Sequence, residues 1–148
     1  MTTFGHVNAS YHRTYPQSSQ AVGRARREVV DFAEHCGFRG QALADIEVAV
    51  GEGLANAVEH SQRTDGGFEV SVSYGTAGLI VEIKDSGRGF DSEKMCARAR
   101  PPVEALRGFG SFIMRELMDE VAYSESGTRL KLIKRLPRAA RERSSLQA

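Results

Sequence analysis

Tryptophan is absent from the 148 residues, cysteine occurs twice and proline four times. Cys36 and Cys96 have neither the spacing of metal ligands nor the density of a disulfide scaffold, so neither a zinc module nor a disulfide-stapled fold organises the chain. Charge of one sign is also missing: the formal net charge is +1, so no overall field draws the protein to nucleic acid or to an anionic membrane. No apolar run approaches the roughly 20 residues of a membrane span, and the N-terminus has no signal-peptide core, which makes the cytoplasm the expected location. Two common phosphate-binding patterns are absent as well, the P-loop Gly-x4-Gly-Lys-[Ser/Thr] and a strand followed by Gly-x-Gly-x-x-Gly. What remains is 41% hydrophobic and 26% charged, the composition of one globular domain large enough to bury a core.

The chain is organised around residues 48–61, VAVGEGLANAVEHS. Ile46, Val50, Leu54 and Ala57 recur at steps of four and three and share one helical face. At roughly 100° per residue, Glu52 and Asn56 fall nearly opposite, one turn apart. Asp45 and Glu47 are expected to open this helix. Gly51 and Gly53 inside it each cost ~1 kcal/mol against alanine, so something must approach closely; a ligand and a tightly packed neighbour both satisfy that.

Around this helix the pattern alternates between periods of two and 3.6. Residues 10–15 predict a short strand ended by Pro16. A helix follows, capped by Ser18 or Ser19, with Ala21, Val22, Ala25, Val29, Phe32 and Ala33 as its stripe and Gly37 as its stop. Arg24, Arg26 and Arg27 lie on its solvated face. Residues 68–74 and 79–84 alternate and form a hairpin. Residues 91–107, which include Pro101-Pro102, predict a long loop, and Gly108-Phe109-Gly110 predicts the opening of a helix over 111–118. Strands are expected over 120–124 and 128–136. Residues 1–9 and 137–148 are expected to be flexible ends, and the basic stretch 138–143 lacks the interleaved aromatic residues of a nucleic-acid surface.

Three boxes stand where one element hands over to the next: Glu52 with Asn56 on a helix, Asp85-x-Gly87-x-Gly89 after a strand, and Gly108-x-Gly110 before a helix. Glycine lets backbone N–H groups approach phosphate, and a helix N-terminus adds partial positive charge, so residues 108–111 can cradle anionic oxygens. Asp85 at a strand end can accept a hydrogen bond from the exocyclic amine of adenine. Asn56 offers a neutral oxygen to a hard cation such as Mg²⁺. Glu52 can take a proton from an attacking hydroxyl or water in phosphoryl transfer. Each box alone also occurs in ordinary turns and helix surfaces; their combination and order carry the signal.

The segments EGLANAVEH, VEIKDSGRGFD and RGFGSFIMRELMDEVAY resemble the N-box, first glycine box and second glycine box of GHKL (Bergerat-fold) ATP-binding proteins. Within them, the short length and the run over 113–121 are most similar to bacterial anti-sigma-factor serine/threonine kinases. The resemblance spans residues 10–136 and implies a single GHKL ATP-binding kinase domain. Its architecture would be an α+β two-layer sandwich: a mixed, mainly antiparallel sheet covered on one face by about three helices, with ATP between the layers under a mobile lid.

Position by position, the resemblance implies Glu52 as general base, Asn56 as Mg²⁺ ligand, Asp85 as adenine reader, and Gly87 and Gly89 as the turn under the base. Residues 91–107 would be the lid, with Arg98, Arg100 and Arg107 mainly solvated. Gly108, Phe109 and Gly110 would meet the phosphates, Arg115 would lie near the phosphate end, and Thr128 would support the adenine pocket through Asp85 or a water. His60 matches the histidine that often ends the N-box and is read as structural; His6, His12 and His35 form no metal constellation with it.

The function implied is an ATP-dependent protein-serine kinase that binds a sigma factor and phosphorylates a STAS-domain anti-sigma antagonist, with a homodimer as a further possibility and neither nucleic acid nor membrane as a direct partner. Two other functions share the same boxes. One is a nucleotide-gated binding module without turnover, against which Glu52 argues. The other is a detached histidine-kinase catalytic domain, which would need its phosphoacceptor from another chain. A MutL- or gyrase-type ATPase would need an appended transducer domain.

Overall fold

The computed structural model describes residues 7–60, 66–85, 102–124 and 128–136, with the backbone alone for residues 7, 8, 60 and 102–109. In chain order the elements are β1 (Val7–Pro16), α1 (Ser19–His35), α2 (Gly40–His60), β2 (Gly67–Gly75), β3 (Gly78–Asp85), α3 (Pro102–Leu117), β4 (Glu120–Ser124) and β5 (Arg129–Lys134). The strands form one sheet in the order β1-β2-β3-β5-β4, and every neighbouring pair is antiparallel. With three helices among the described residues, this is the α+β layering expected of the chain.

Alternation along each strand decides which face is buried. Phe68, Val70 and Val72 of β2, Leu79, Val81 and Ile83 of β3, and Leu130 and Leu132 of β5 are buried. Against them lie Ala21, Ala25, Val29 and Ala33 of α1 and Ile46, Ala49, Val50, Leu54 and Ala57 of α2, also buried. Burying a stripe of this kind stabilises a helix far more than its intrinsic propensity does. Small residues dominate the buried face of α1, so α1 can pack closely on α2.

Local signals place the ends. Ser18 caps α1, its hydroxyl accepting the Ala21 N–H at 3.1 Å. Gly37 adopts φ +112° after the helix, a conformation that costs glycine little. Edge strand β1 is tied to α1 through Glu28, whose carboxylate accepts from Arg13 at 2.6 Å and from the Tyr15 hydroxyl at 2.7 Å. Tyr15 stacks on Phe68 of the next strand with ring centroids 5.2 Å apart.

Three boundaries differ from those the sequence predicts. Strand β1 starts at Val7 and pairs with β2 along its length. Helix α2 starts at Gly40 rather than near Asp45; Gln41, Ala42, Leu43 and Ala44 are helix formers that extend it backwards. Helix α3 starts at Pro102, so residues 102–107 are helical and not loop. Proline suits a first helical position, where its fixed φ is already helical and its missing N–H has no partner to lose.

The hairpin turn supplies a stability test. Gly78 has φ +100°, and a Cβ there would lie 2.6 Å from the Lys134 carbonyl oxygen. Gly78→Ala is expected to destabilise the protein by about 1–3 kcal/mol in chemical denaturation. Gly23 in α1 has nothing nearer to a Cβ than Arg27 Nη1 at 3.7 Å, and Gly23→Ala is expected to stabilise by about 0.5–1 kcal/mol. Equal midpoints for the two variants would contradict this account of the turn.

Candidate functional site

Helix α2 carries the first pair of site residues, and its seat on the sheet is set by Gly53. A Cβ on Gly53 would lie 2.8 Å from Leu130 Cδ2 and 3.1 Å from Ile83 Cδ1. At this glycine, then, the close approach is the sheet's. At Gly51 it is α1, whose Arg26 Cδ would stand 3.3 Å from an added Cβ. With Ile46, Val50, Leu54 and Ala57 committed to the core, Glu52 and Asn56 are half-buried on the side facing α3.

There they meet the second glycine box. A Cβ on Gly110 would lie 3.1 Å from Glu52 Oε2, 3.7 Å from Asn56 Nδ2 and 4.0 Å from Asn56 Oδ1. A side chain at this position would have to displace the Glu52 carboxylate by a few tenths of an ångström, so glycine lets α3 run close to both polar groups. The sequence predicts Gly108, Phe109 and Gly110 at a helix N-terminus, but they lie inside α3. Within a helix, backbone N–H groups are committed to the preceding turn, so the arrangement described is not an open phosphate cradle. The six residues from Pro102 to Arg107 displace the helix start and account for the difference.

Asp85 ends β3 on the same face as Leu79, Val81 and Ile83. It is 9% exposed and the one buried charged side chain among the described residues. Its backbone N–H donates to the Thr128 carbonyl at 2.9 Å, which joins these two predicted residues through the main chain; both take part in further polar interactions. Burying a carboxylate costs several kcal/mol unless hydrogen bonds compensate.

Asp85 pairs with Phe68, and Phe68 with Tyr15. Just beyond that row, Gln17 donates its Nε2 to the Val58 carbonyl at 3.0 Å. The last turns of α2 therefore lie at the Asp85 end of the sheet.

One participant has no role in the sequence reading. Tyr123 of β4 pairs with Leu130, which pairs with Ile83, so it occupies the strand row over which Gly53 sits. Its hydroxyl is hydrogen-bonded to the side chains of Asn56 and Ser111, and the Arg115 guanidinium acts on it electrostatically. Burial raises the phenol pKa above its ordinary value, while the two hydrogen bonds and Arg115 pull it back. From sequence it is one tyrosine in a five-residue strand, and only the sheet register brings it under Asn56. Arg115, exposed on the last turn of α3, acts on the same cluster.

Gly87, Gly89, Arg98, Arg100 and most of the expected lid, residues 91–101, lie outside the described residues. Among those described, no group of three or more His, Cys, Asp or Glu side chains stands ready to hold a metal. The side-chain oxygen of Asn56 is a neutral donor of the kind that suits a hard cation taking its remaining ligands from water and phosphate, as Mg²⁺ does. The chemistry of the cluster is thus a carboxylate, a carboxamide and a guanidinium at one end of a helix-covered sheet, with a buried carboxylate at the end of β3.

Comparison with known proteins adds a family. The sequence pattern of the histidine kinase-like ATPase domain matches residues 15–134. The chain is 36% identical over 115 residues to the serine-protein kinase RsbW of Oceanobacillus iheyensis, covering 72% of this chain and 73% of that one. It is 31% identical over 140 residues to the serine-protein kinase RsbW of Bacillus subtilis, covering 87% and 88%. A crystal structure of the RsbU and RsbW domains of a Mycobacterium tuberculosis protein aligns with TM-score 0.65 at 22% identity, covering 87% of this chain and 33% of that longer one; this likeness concerns the fold.

The contact at Gly110 generates a test. A methyl group there forces the Glu52 carboxylate aside by a few tenths of an ångström, while alanine favours the helix. Gly110→Ala is expected to lower phosphoryl transfer from ATP by about tenfold without lowering the thermal midpoint. Transfer at the wild-type rate would show that α3 does not set the position of Glu52.

Proposed function

Because the chain belongs to the histidine kinase-like ATPase domain family and is a protein serine/threonine kinase, we propose that its substrate is a small STAS-domain anti-sigma antagonist and that its second partner is a sigma factor. The observation that carries the reading is the meeting of Glu52 and Asn56 at Gly110, beneath a helix whose last turns lie at the end of the sheet that buries Asp85.

In this reading the adenine of ATP lies between α2 and the sheet, its exocyclic amine donating to the Asp85 carboxylate. Thr128 fixes Asp85 through the main chain, and Gly87 and Gly89 shape the turn beneath the base. Asn56 would hold Mg²⁺ through its side-chain oxygen, and bound there the ion would supply charge neutralisation at the phosphate oxygens. Glu52 accepts the proton of the substrate serine as its oxygen forms a bond to the γ-phosphorus and the bond to ADP breaks. Arg115 faces the phosphate end, where a guanidinium stabilises developing negative charge. For Gly108, Phe109 and Gly110 to offer N–H groups to the phosphates, the first turns of α3 must unwind around the nucleotide.

Partner exchange follows from charge. Phosphorylation adds close to two negative charges to the antagonist, which weakens its docking and frees the kinase to hold the sigma factor. The proposed setting is the cytoplasm; among the described residues no helix is long and apolar enough to cross a membrane.

The test is transfer from γ-labelled Mg-ATP into a lysate of the source organism by wild type, Glu52→Ala and Asp85→Asn. Wild type is expected to label one small, acid-stable band. Glu52→Ala should lower that labelling by about 100-fold or more, and Asp85→Asn should abolish it by loss of nucleotide binding. Unchanged labelling by Glu52→Ala would remove the base assignment, and an acid-labile band would point to histidine phosphorylation. Nucleotide binding without any transfer by wild type would leave a nucleotide-gated binding module.

A further inference from the structure

The outer face of the sheet, turned away from the helices, carries a second polar group. In β2, Val70 and Val72 are buried, so Ser71 between them points to the opposite face. Cross-strand pairing sets His12 of β1 directly beside Ser71, and its Nδ1 lies 2.7 Å from Ser71 Oγ. The other ring nitrogen, Nε2, faces Glu69 Oε1 at 3.6 Å. A carboxylate on that side favours the proton on Nε2, which leaves Nδ1 to accept from the Ser71 hydroxyl. Serine, imidazole and carboxylate thus stand in the order in which a hydroxyl is activated as a nucleophile. Beside them is a cavity of about 280 Å³ lined by His12 and Ser71 themselves, with Ser10, Ser73, Ile80 and Glu82 in its walls.

We propose that Ser71 is an acyl-accepting nucleophile activated by His12, with a short, uncharged activated ester or thioester as its substrate class. In the step, Ser71 Oγ forms a bond to the acyl carbon and the bond from that carbon to the leaving oxygen or sulfur breaks. The serine proton passes to His12 Nδ1 and from there to the leaving group. Glu69 is a positioning residue that acts through the ring. The small cavity suits an acyl chain of a few carbons, and Ile80 offers it an apolar wall. Ser10 and Ser73, paired across the strands, supply hydroxyl donors in the same walls for the carbonyl oxygen. Glu82 lines the cavity and Glu69 lies behind His12, so an anionic donor such as an acyl phosphate meets like charge; Arg129, 3.6 Å from Glu82, offsets part of it. The side chains of His12 and Glu69 are 56% and 44% exposed, which leaves the site open to a small donor. Ser71 and His12 stand apart from the nucleotide site, so this inference does not depend on that assignment.

The probe is p-nitrophenyl acetate, given to the full chain without nucleotide. Nitrophenolate release is followed by absorbance, and the acetylated residue is located by peptide mass spectrometry. Wild type is expected to acquire the acetyl group on Ser71 about 100-fold faster than on Ser10 or Ser73, which line the same cavity. His12→Gln should remove that advantage. Glu69→Gln should slow acetylation of Ser71 and Glu69→Asp should recover most of the rate, because aspartate keeps the charge; glutamine is the closer match in size, so a structural role would rank the two the other way. Thermal midpoints are expected to stay near that of wild type in all three variants. Acetyl groups on lysines or Cys36 with Ser71 unmodified would overturn the proposal, and this result needs no variant. Nitrophenolate release that persists in Ser71→Ala would mean that another group reacts by itself, and would also overturn it.

Discussion

Everything at the site depends on how closely α2 can lie on the sheet and on α3. Two missing side chains set that distance. At Gly53 a Cβ would meet Leu130 and Ile83 at 2.8 and 3.1 Å, and at Gly110 it would meet Glu52 at 3.1 Å. Moving either helix outward by the width of a methyl group would draw Glu52 and Asn56 away from α3 and from Tyr123. The cost of glycine within a helix, ~1 kcal/mol each against alanine, is therefore the cost of placing the polar pair. Core packing supplies the compensation: Ile46, Val50 and Leu54, on the other side of α2, are fully buried.

A second constraint acts at the far end of β3. A sheet that buries Val81 and Ile83 also buries Asp85 by the same period-two rule, at a position where an apolar residue would serve stability better. Retaining a carboxylate there is costly unless its oxygens have partners. The Asp85 backbone is fixed by Thr128, so the carboxylate is presented from a rigid strand end. A rigid acceptor discriminates between ligands by what they can donate to it, and adenine offers an amine where guanine offers a carbonyl oxygen.

Much of this was legible in residue order, and the parts that were not have physical causes. The Val50/Leu54 stripe and the opposed Glu52 and Asn56 follow from helical periodicity, and the hairpin around Gly78 from alternation and a glycine turn, so both could be read directly. Asp85 could be placed at a strand end but not shown to be buried, because burial depends on β5 and α2 arriving from elsewhere in the chain. The start of α3 is not legible locally, because Pro101-Pro102 reads as a break, whereas Pro102 is tolerated as a first helical residue. With that start, Gly108 and Gly110 fall inside the helix. Tyr123 was missed because its role arises only from long-range strand pairing, the register Ile83, Leu130 and Tyr123, to which no local pattern points. The two helix glycines left a choice between ligand room and packing. Gly51 and Gly53 prove to serve packing, and Gly110 is the glycine that borders the polar pair.

The central claim is that adenine is read by the Asp85 carboxylate beneath α2. It is tested most directly by titrating the purified protein with Mg-ATP and Mg-GTP in parallel. The account predicts saturable binding of ATP and binding of GTP weaker by about 100-fold or more, because guanine presents an acceptor to a carboxylate that has nothing to donate. Equal affinity for the two nucleotides, or no binding of either by folded protein, would contradict it.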